Sequence, residues 1–117
     1  MAKPLIKQRY IAQNIDMIRS PAYESLSGNA VKLMILIQTQ WRQYEPVAYS
    51  ISEAQKRIGC CRGSAQKAFQ ELESHGFIKL ILDAHFHKQL ARRWRITFRD
   101  YNDQKPTDDW RKWVAEN

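Results

Sequence analysis

Residues 52–78 read SEAQKRIGCCRGSAQKAFQELESHGFI, and two helical patterns separated by a short turn occur within them. In the first pattern, Ser52 has the residue type of an N-cap, whose side-chain oxygen accepts a backbone N–H bond. Ala54 and Ile58 lie four residues apart, so they share one face of a helix. Gly59 then predicts the end of this helix, because glycine readily adopts the left-handed conformation found at helix ends.

The second pattern predicts a longer helix over residues 62–75, ended by Gly76. Its apolar residues recur at i, i+3, i+4 and i+7, and they are Ala65, Ala68, Phe69 and Leu72. Small alanine side chains near the start of this face allow two helices to approach closely across a tight turn. The stretch therefore predicts a helix-turn-helix pair.

Strand patterns flank this pair. Residues 47–51 alternate in polarity and predict a short strand before it, and residues 77–82 predict a strand after it. A basic loop over residues 84–93 leads to a third strand. In that third strand, apolar residues alternate with largely cationic ones. Two of the cationic residues, Arg95 and Arg99, are expected to project outward and to keep this strand soluble as an edge strand.

Helical patterns also precede the first strand. Ser20 is predicted to cap a short helix, and Ser27 is predicted to cap a longer one that runs to about Gln43. The buried face of this longer helix is predicted to contain Ala30, Leu33, Met34, Ile37 and Trp41. Residues 1–19 are expected to form an extension that docks onto a domain comprising residues 20–100.

Residues 101–117 are predicted to form a tail with a short amphipathic helix capped by Thr107. Trp110, Trp113 and Val114 share one face of that helix. This face either folds back over the domain or contributes to a dimer interface, since aromatic side chains suit both. We favour self-association as a homodimer, because helix-turn-helix proteins commonly read two half-sites as symmetric pairs.

The order of these elements and the stretch 52–78 resemble the winged helix-turn-helix superfamily, and the resemblance extends from about residue 20 to residue 98. It is closest to the small regulators and replication-associated proteins of bacteria, plasmids and phages, in which a segment like SPAYESLSGNA (residues 20–30) precedes the first long helix. The resemblance implies an α+β fold, mainly α, with a three-helix core and a small antiparallel β-sheet wing. It also implies that helix 62–75 enters the major groove of double-stranded DNA.

The outward face of helix 62–75 contains the candidate base-contacting and phosphate-contacting residues. With the apolar face turned inward, the residues left outside are Arg62, Gly63, Ser64, Gln66, Lys67 and Gln70. Arginine and lysine can donate to guanine, and glutamine can bind adenine through two hydrogen bonds. Ser64 and the free N–H groups of the first helical turn suit phosphate.

Further candidate contacts lie outside this helix. In the predicted wing, residues 84–93, they are Lys88, Arg92 and Arg93, which are expected to reach a phosphate or the minor groove. On the preceding helix, Lys56 and Arg57 are predicted phosphate contacts. The alternative for each of these side chains is an ordinary solvated surface position.

The charge distribution favours the same region. The chain carries 19 Lys and Arg against 12 Asp and Glu, and residues 51–100 alone contain ten basic and five acidic residues. Such an excess suits a polyanionic partner, although charge alone does not distinguish DNA from RNA or anionic lipid.

Several other classes are not supported. Cys60 and Cys61 are adjacent, which fits neither a disulfide nor, with His75, His85 and His87, the ligand spacing of a zinc site. A redox role for Cys61, at a helix N-terminus, is a minor alternative. We find no catalytic motif, no secretory signal, no membrane-spanning run and no sign of a cofactor or small-molecule effector, so the expectation is a non-enzymatic cytoplasmic protein.

The sequence therefore predicts a sequence-specific DNA-binding protein, with regulation of transcription as the leading role. Replication initiation or an accessory role in recombination is the alternative that keeps DNA binding. A winged-helix module that contacts only proteins is the alternative from another class. Replacing Arg62 and Lys67 with alanine discriminates these, because loss of DNA binding in a folded variant supports the first two.

Overall fold

The computed structural model describes residues 8–82 and 91–115, and within them the chain is mainly helical with a small antiparallel sheet. The α-helices are α1 (Ile15–Ile18), α2 (Pro21–Glu24), α3 (Gly28–Gln38), α4 (Ile51–Ile58) and α5 (Arg62–Ser74). The strands are β1 (Val47–Ala48), β2 (Ile78–Leu82) and β3 (Arg93–Ile96), and a 3₁₀ helix covers Asp109–Lys112. The α+β, mainly α class is confirmed.

Serine side chains cap three of these helices. Ser20, Ser27 and Ser50 each accept a hydrogen bond from the backbone N–H three residues further on. The predicted caps at Ser20 and Ser27 are confirmed, whereas the predicted cap at Ser52 is wrong. Ser50 and Glu53 have the S-x-x-E spacing of a capping box, so α4 begins two residues earlier and β1 is shorter than the alternation suggested.

Helix α3 is also shorter than its pattern. Three successive backbone bonds near its end join residues three apart, which tightens the last turn, and the regular helix stops at Gln38. Ala30, Leu33, Met34 and Ile37 lie in the core as expected. Trp41 does not, because the chain has left the helix; its indole donates to the backbone oxygen of Asp100 at 3.1 Å.

In the sheet, β3 lies between β1 and β2 and runs antiparallel to both. Trp94 pairs with Val47 on one side and with Leu80 on the other. The expectation of an edge strand is therefore wrong for the first half of β3, since Arg93 and Trp94 are paired on both sides. The register shifts between Leu80 and Leu82, which marks a β-bulge or irregularity in β2.

The prediction that Arg95 faces water is wrong as well, because the chain after β3 folds back across that side of the sheet. Arg95 is 9% exposed, and its guanidinium donates to the side-chain oxygen of Gln104 at 3.2 Å and the backbone oxygen of Lys105 at 3.1 Å. It also lies over the ring of Tyr101, 5.3 Å from the centroid. The alternation in β3 thus reflects two covered faces, one apolar and one polar.

Arg99 has a similar role at the N-terminal side of the molecule. Its guanidinium donates to the backbone oxygen of Ala12 and, at 2.7 Å, to the side-chain oxygen of Gln38. Burial lowers the pKa of Arg99 from its ordinary value. Arg99 therefore links Ala12, in the segment before α1, to Gln38 at the end of α3, and Met17 of α1 is completely buried.

The C-terminal segment folds back over the helices. Trp110 is 4% exposed, and Trp113 stacks on His75 with ring centroids 4.5 Å apart, whereas Val114 is exposed. The predicted amphipathic helix capped by Thr107 is replaced by a short 3₁₀ helix that starts after Asp108. Of the two alternatives for this face, folding back over the domain applies to both tryptophans.

The lack of a side chain at Gly76 lets the C-terminal 3₁₀ helix lie close to the end of α5. Its φ of 86° is left-handed, as expected for the residue that ends α5. A Cβ at this position would lie 2.7 Å from the backbone carbonyl carbon of Asp109, which no side chain tolerates without a backbone shift. The absent side chain therefore makes room for the 3₁₀ helix.

Candidate nucleic-acid interface

The outer face of α5 consists of polar residues that the core does not cover. The exposed residues predicted there are Arg62, Gly63, Gln66, Lys67 and Gln70, and Ser64 is half-buried. The opposite face packs against α3 and α4 through Ala65, Ala68, Phe69 and Leu72, each at most 3% exposed. The amphipathic pattern of this helix is thus observed as predicted, and it brings six of the candidate residues together.

The first nine residues of α5 carry no carboxylate, and the first acidic residue is engaged elsewhere. The carboxylate of Glu71 accepts hydrogen bonds from the backbone N–H of Ser27 at 2.9 Å and from its hydroxyl at 2.7 Å. Glu71 therefore holds Ser27, the N-cap residue of α3, against α5. Sequence reasoning missed this contact: the spacing of Glu71 from Lys67 and Ser64 indicates a shared face, but not the helix end that meets it.

The start of α5 contains an exposed thiol. Cys61 occupies the N-cap position, and its Sγ lies 3.2 Å from the hydroxyl of Ser64. The contact with the Ser64 hydroxyl, followed by the nearby backbone N–H groups of the first turn, lowers the pKa of Cys61 from its ordinary value. The same N–H groups are those predicted to suit a phosphate.

Arg62 connects the starts of the two helices and the base of the hairpin. One guanidinium nitrogen of Arg62 lies 3.5 Å from the hydroxyl of Ser52 in the first turn of α4. Arg62, Ser52 and Arg92 also line a common cavity, so the predicted recognition helix, the preceding helix and the predicted wing meet at this point.

The two cations of α4 occupy its last turn. Lys56 and Arg57 are both exposed, where positive charge also complements the helix dipole. Burial, then the charge of Glu53, raises the pKa of the Tyr49 phenol, and the charge of Arg57 opposes this rise.

The predicted wing, residues 84–93, is described only at its end. Lys88 lies outside the described residues. Arg92 and Arg93 are half-buried at the beginning of β3, where Arg93 pairs with Ala48 and with Leu82. These two arginines lie at the base of the hairpin.

The residues considered for zinc have other contacts or lie outside the described ranges. Nδ1 of His75 lies 2.7 Å from the carbonyl oxygen of Glu71 and must donate to it, so Nε2 can accept from the hydroxyl of Ser25 at 2.8 Å. His85 and His87 fall among residues 83–90, which are not described. Across residues 8–82 and 91–115, no three His, Cys, Asp or Glu side chains are grouped so that they could hold a metal ion.

Comparison of the chain with models of protein families, with curated proteins and with solved structures found no match. Within the part of the chain that the structure describes, no helix has the length and apolar character needed to cross a bilayer.

Proposed function

We propose that this protein binds double-stranded DNA by inserting α5 into the major groove. In this proposal α3, α4 and α5 are the three-helix core of a winged helix-turn-helix domain, and the β2–β3 hairpin is its wing. The element order α3-β1-α4-α5-β2-β3 and the strand order β1-β3-β2 support it. It is also supported by the cavity that Arg62, at the start of α5, lines together with Arg92, at the base of the hairpin.

The observation that carries the proposal is the outer face of α5. It presents two cations and two amides over about two and a half turns, without a carboxylate before Glu71. Arg62 and Lys67 supply donors for guanine or phosphate, and Gln66 and Gln70 supply the donor and acceptor pair that adenine requires. An ordinary solvated helix face has no reason to exclude acidic residues from these turns.

Sequence-specific regulation of transcription is the role we propose for this binding, and a homodimer that reads two half-sites is part of the proposal. The amides of Gln66 and Gln70 favour sequence reading over purely electrostatic binding. Selection from a random duplex library tests this point, because enrichment of one site supports sequence-specific binding. Equal recovery of all sequences contradicts it.

The direct test is a fluorescence-anisotropy titration with random duplex DNA over a series of salt concentrations. We expect binding that weakens steeply with salt, by about 0.9 log units per log unit of salt for each phosphate neutralised. The variant R62A/K67A is expected to reduce this slope by up to about 1.8 and to weaken binding at least about tenfold.

A matched control is R42A/K105A, which removes the same charge from another part of the surface. Arg42 and Lys105 are exposed and lie near the backbone hydrogen bond between Gln43 and Asn102, beyond the end of α3. The start of α3 is the end that contacts α5, through Ser27. Equal losses in the two double variants contradict a specific role for α5, and so does unchanged DNA binding in R62A/K67A. No DNA binding by the unmodified chain, even at low salt, favours a protein partner instead.

A further inference from the structure

A cavity of about 170 Å³ lies where the first turns of α4 and α5 meet the base of the hairpin. An apolar cavity of about 150 Å³ is known to accept a single benzene ring. The cavity therefore has room for one six-membered ring with a small substituent, and its mouth is adjacent to the start of α5.

The inner wall of this cavity is aromatic and aliphatic. Phe69 and Trp94 form part of it, with their rings stacked 5.6 Å apart at an interplanar angle of 19°. Tyr49 and Ile51 complete the apolar wall. Such a wall favours a flat, apolar ring, because dispersion and burial both increase with the area of contact.

The rim of the cavity is polar and cationic. Arg62 and Arg92 contribute guanidinium groups, Ser50 and Ser52 lie beside them, and no carboxylate occurs among the described residues that line it. A guanidinium binds a carboxylate through two parallel hydrogen bonds, which makes an organic anion the matching ligand.

One wall residue also has an unused hydrogen-bond donor. The indole Nε1 of Trp94 is buried, and it has no acceptor within residues 8–82 and 91–115. Buried donors normally have a partner, so this donor is open to an acceptor from outside the described residues.

We propose that the cavity binds a small aromatic carboxylate, with the ring against Phe69 and Trp94 and the carboxylate on Arg62. The regulatory consequence rests on the proposed DNA binding. Arg62 cannot hold the ligand carboxylate and a DNA phosphate or base at the same time, so the ligand weakens DNA binding. Because coupling between two sites is reciprocal, DNA weakens ligand binding by the same factor.

The first test uses benzoate as the probe and the ¹⁵N-labelled full chain. Saturable shifts of the Trp94 indole N–H signal are expected at about 0.1–10 mM benzoate, together with nuclear Overhauser contacts between ring protons and Phe69. Benzyl alcohol has the same ring without the charge, and we expect it to bind about tenfold more weakly. No saturable shift by about 20 mM benzoate, or equal binding of the alcohol, overturns the proposal.

A filling variant tests the location. Ala91 is a half-buried residue of the cavity outside the helices and strands, so Ala91→Leu occupies the space with little effect on the core. It is expected to abolish benzoate binding, whereas the exposed control Ala115→Leu retains it. If Ala91→Leu does not fold, the Overhauser contacts and the alcohol comparison in the unmodified chain decide the question. Unchanged benzoate binding in a folded Ala91→Leu variant overturns the assignment.

The regulatory half is tested by anisotropy with saturating benzoate, using equimolar acetate as the control for ionic strength and for the carboxylate alone. Benzoate is expected to raise the dissociation constant for DNA about tenfold and acetate is expected to leave it unchanged. Equal effects of the two anions overturn the coupling. Benzoate binding without any DNA binding at low salt refutes the proposed DNA function but not the proposed ligand site in the cavity. DNA binding without benzoate binding refutes the ligand site but not the DNA function.

Discussion

Replacing Gly76 with alanine tests how the C-terminal segment is held against the helices. Gly59 and Gly76 follow α4 and α5 with φ of 81° and 86°, so a side chain strains both backbones alike. A Cβ at Gly59 meets no described atom within 4 Å, whereas a Cβ at Gly76 lies 2.7 Å from the carbonyl carbon of Asp109. Gly59→Ala is therefore a matched control that contains the strain without the collision.

The expected magnitudes differ accordingly. The left-handed conformation costs alanine about 1–2 kcal/mol, which is the expected loss of unfolding free energy for Gly59→Ala. In Gly76→Ala the colliding atoms belong to the backbone, so the 3₁₀ helix must move and expose Trp110. Burial of an aromatic side chain covers about 150–250 Å² and contributes at most about 4–6 kcal/mol. We expect a total loss of about 3–6 kcal/mol for Gly76→Ala.

Urea denaturation followed by circular dichroism measures both losses, and a double-mutant cycle with Trp110→Ala identifies their origin. Trp110→Ala is expected to cost about 3–5 kcal/mol in the wild-type chain. It is expected to cost much less in Gly76→Ala, where the tryptophan is already displaced. Losses for the two glycine variants that agree within about 0.5 kcal/mol, or additivity in the cycle, refute the packing argument.

Three further predictions concern single contacts. Glu71→Ala removes both acceptors at the start of α3 and is expected to lower the unfolding free energy by about 1–2 kcal/mol in urea titrations; an unchanged midpoint contradicts this cap. With Cys60 replaced by alanine, alkylation of Cys61 by iodoacetamide is expected to reach its maximal rate at a lower pH than for an ordinary thiol, because the lowered pKa leaves more thiolate. Ser64→Ala is expected to move this pH profile of the alkylation rate to higher pH. Coincident pH profiles with and without the Ser64 hydroxyl contradict its role. Arg95→Ala is expected to cost about 2–3 kcal/mol and to speed amide exchange in residues 101–105, and wild-type exchange there excludes the anchoring role.

Local patterns were sufficient to predict the helix pair. The spacing of Ala65, Ala68, Phe69 and Leu72 predicts which face of α5 is buried, because burial on a helix follows from periodicity alone. The end of α5 near Gly76 is also predicted correctly, because glycine is the residue type that most readily adopts the left-handed conformation after a helix. The exposed positions of Arg62, Gln66, Lys67 and Gln70 on α5 could be predicted for the same reason.

Contacts between distant segments could not be predicted in this way. Alternation predicts a solvent-facing Arg95, because it distinguishes two faces of a strand but does not reveal that residues 101–105 cover the second face. Glu71 resembles any exposed acid until the start of α3 is placed beside it. The cavity between α4, α5 and the hairpin likewise depends on how three elements converge, which no local spacing encodes.

The contact of Arg99 has a consequence for how the molecule opens. Arg99 lies 87 positions after Ala12 and 61 positions after Gln38, so its hydrogen bonds close long loops of the chain. Closing these loops costs conformational entropy, and only a few hydrogen bonds offset that cost. We therefore expect the contact of Arg99 with Ala12 and Gln38 to form late in folding. The segment before residue 20 is expected to open before the rest of the domain, as a sub-global unit. Amide protons near Met17 should then exchange with solvent well before those of α5. Their exchange rate should rise with denaturant less steeply than that of α5, because this opening exposes less surface than global unfolding does.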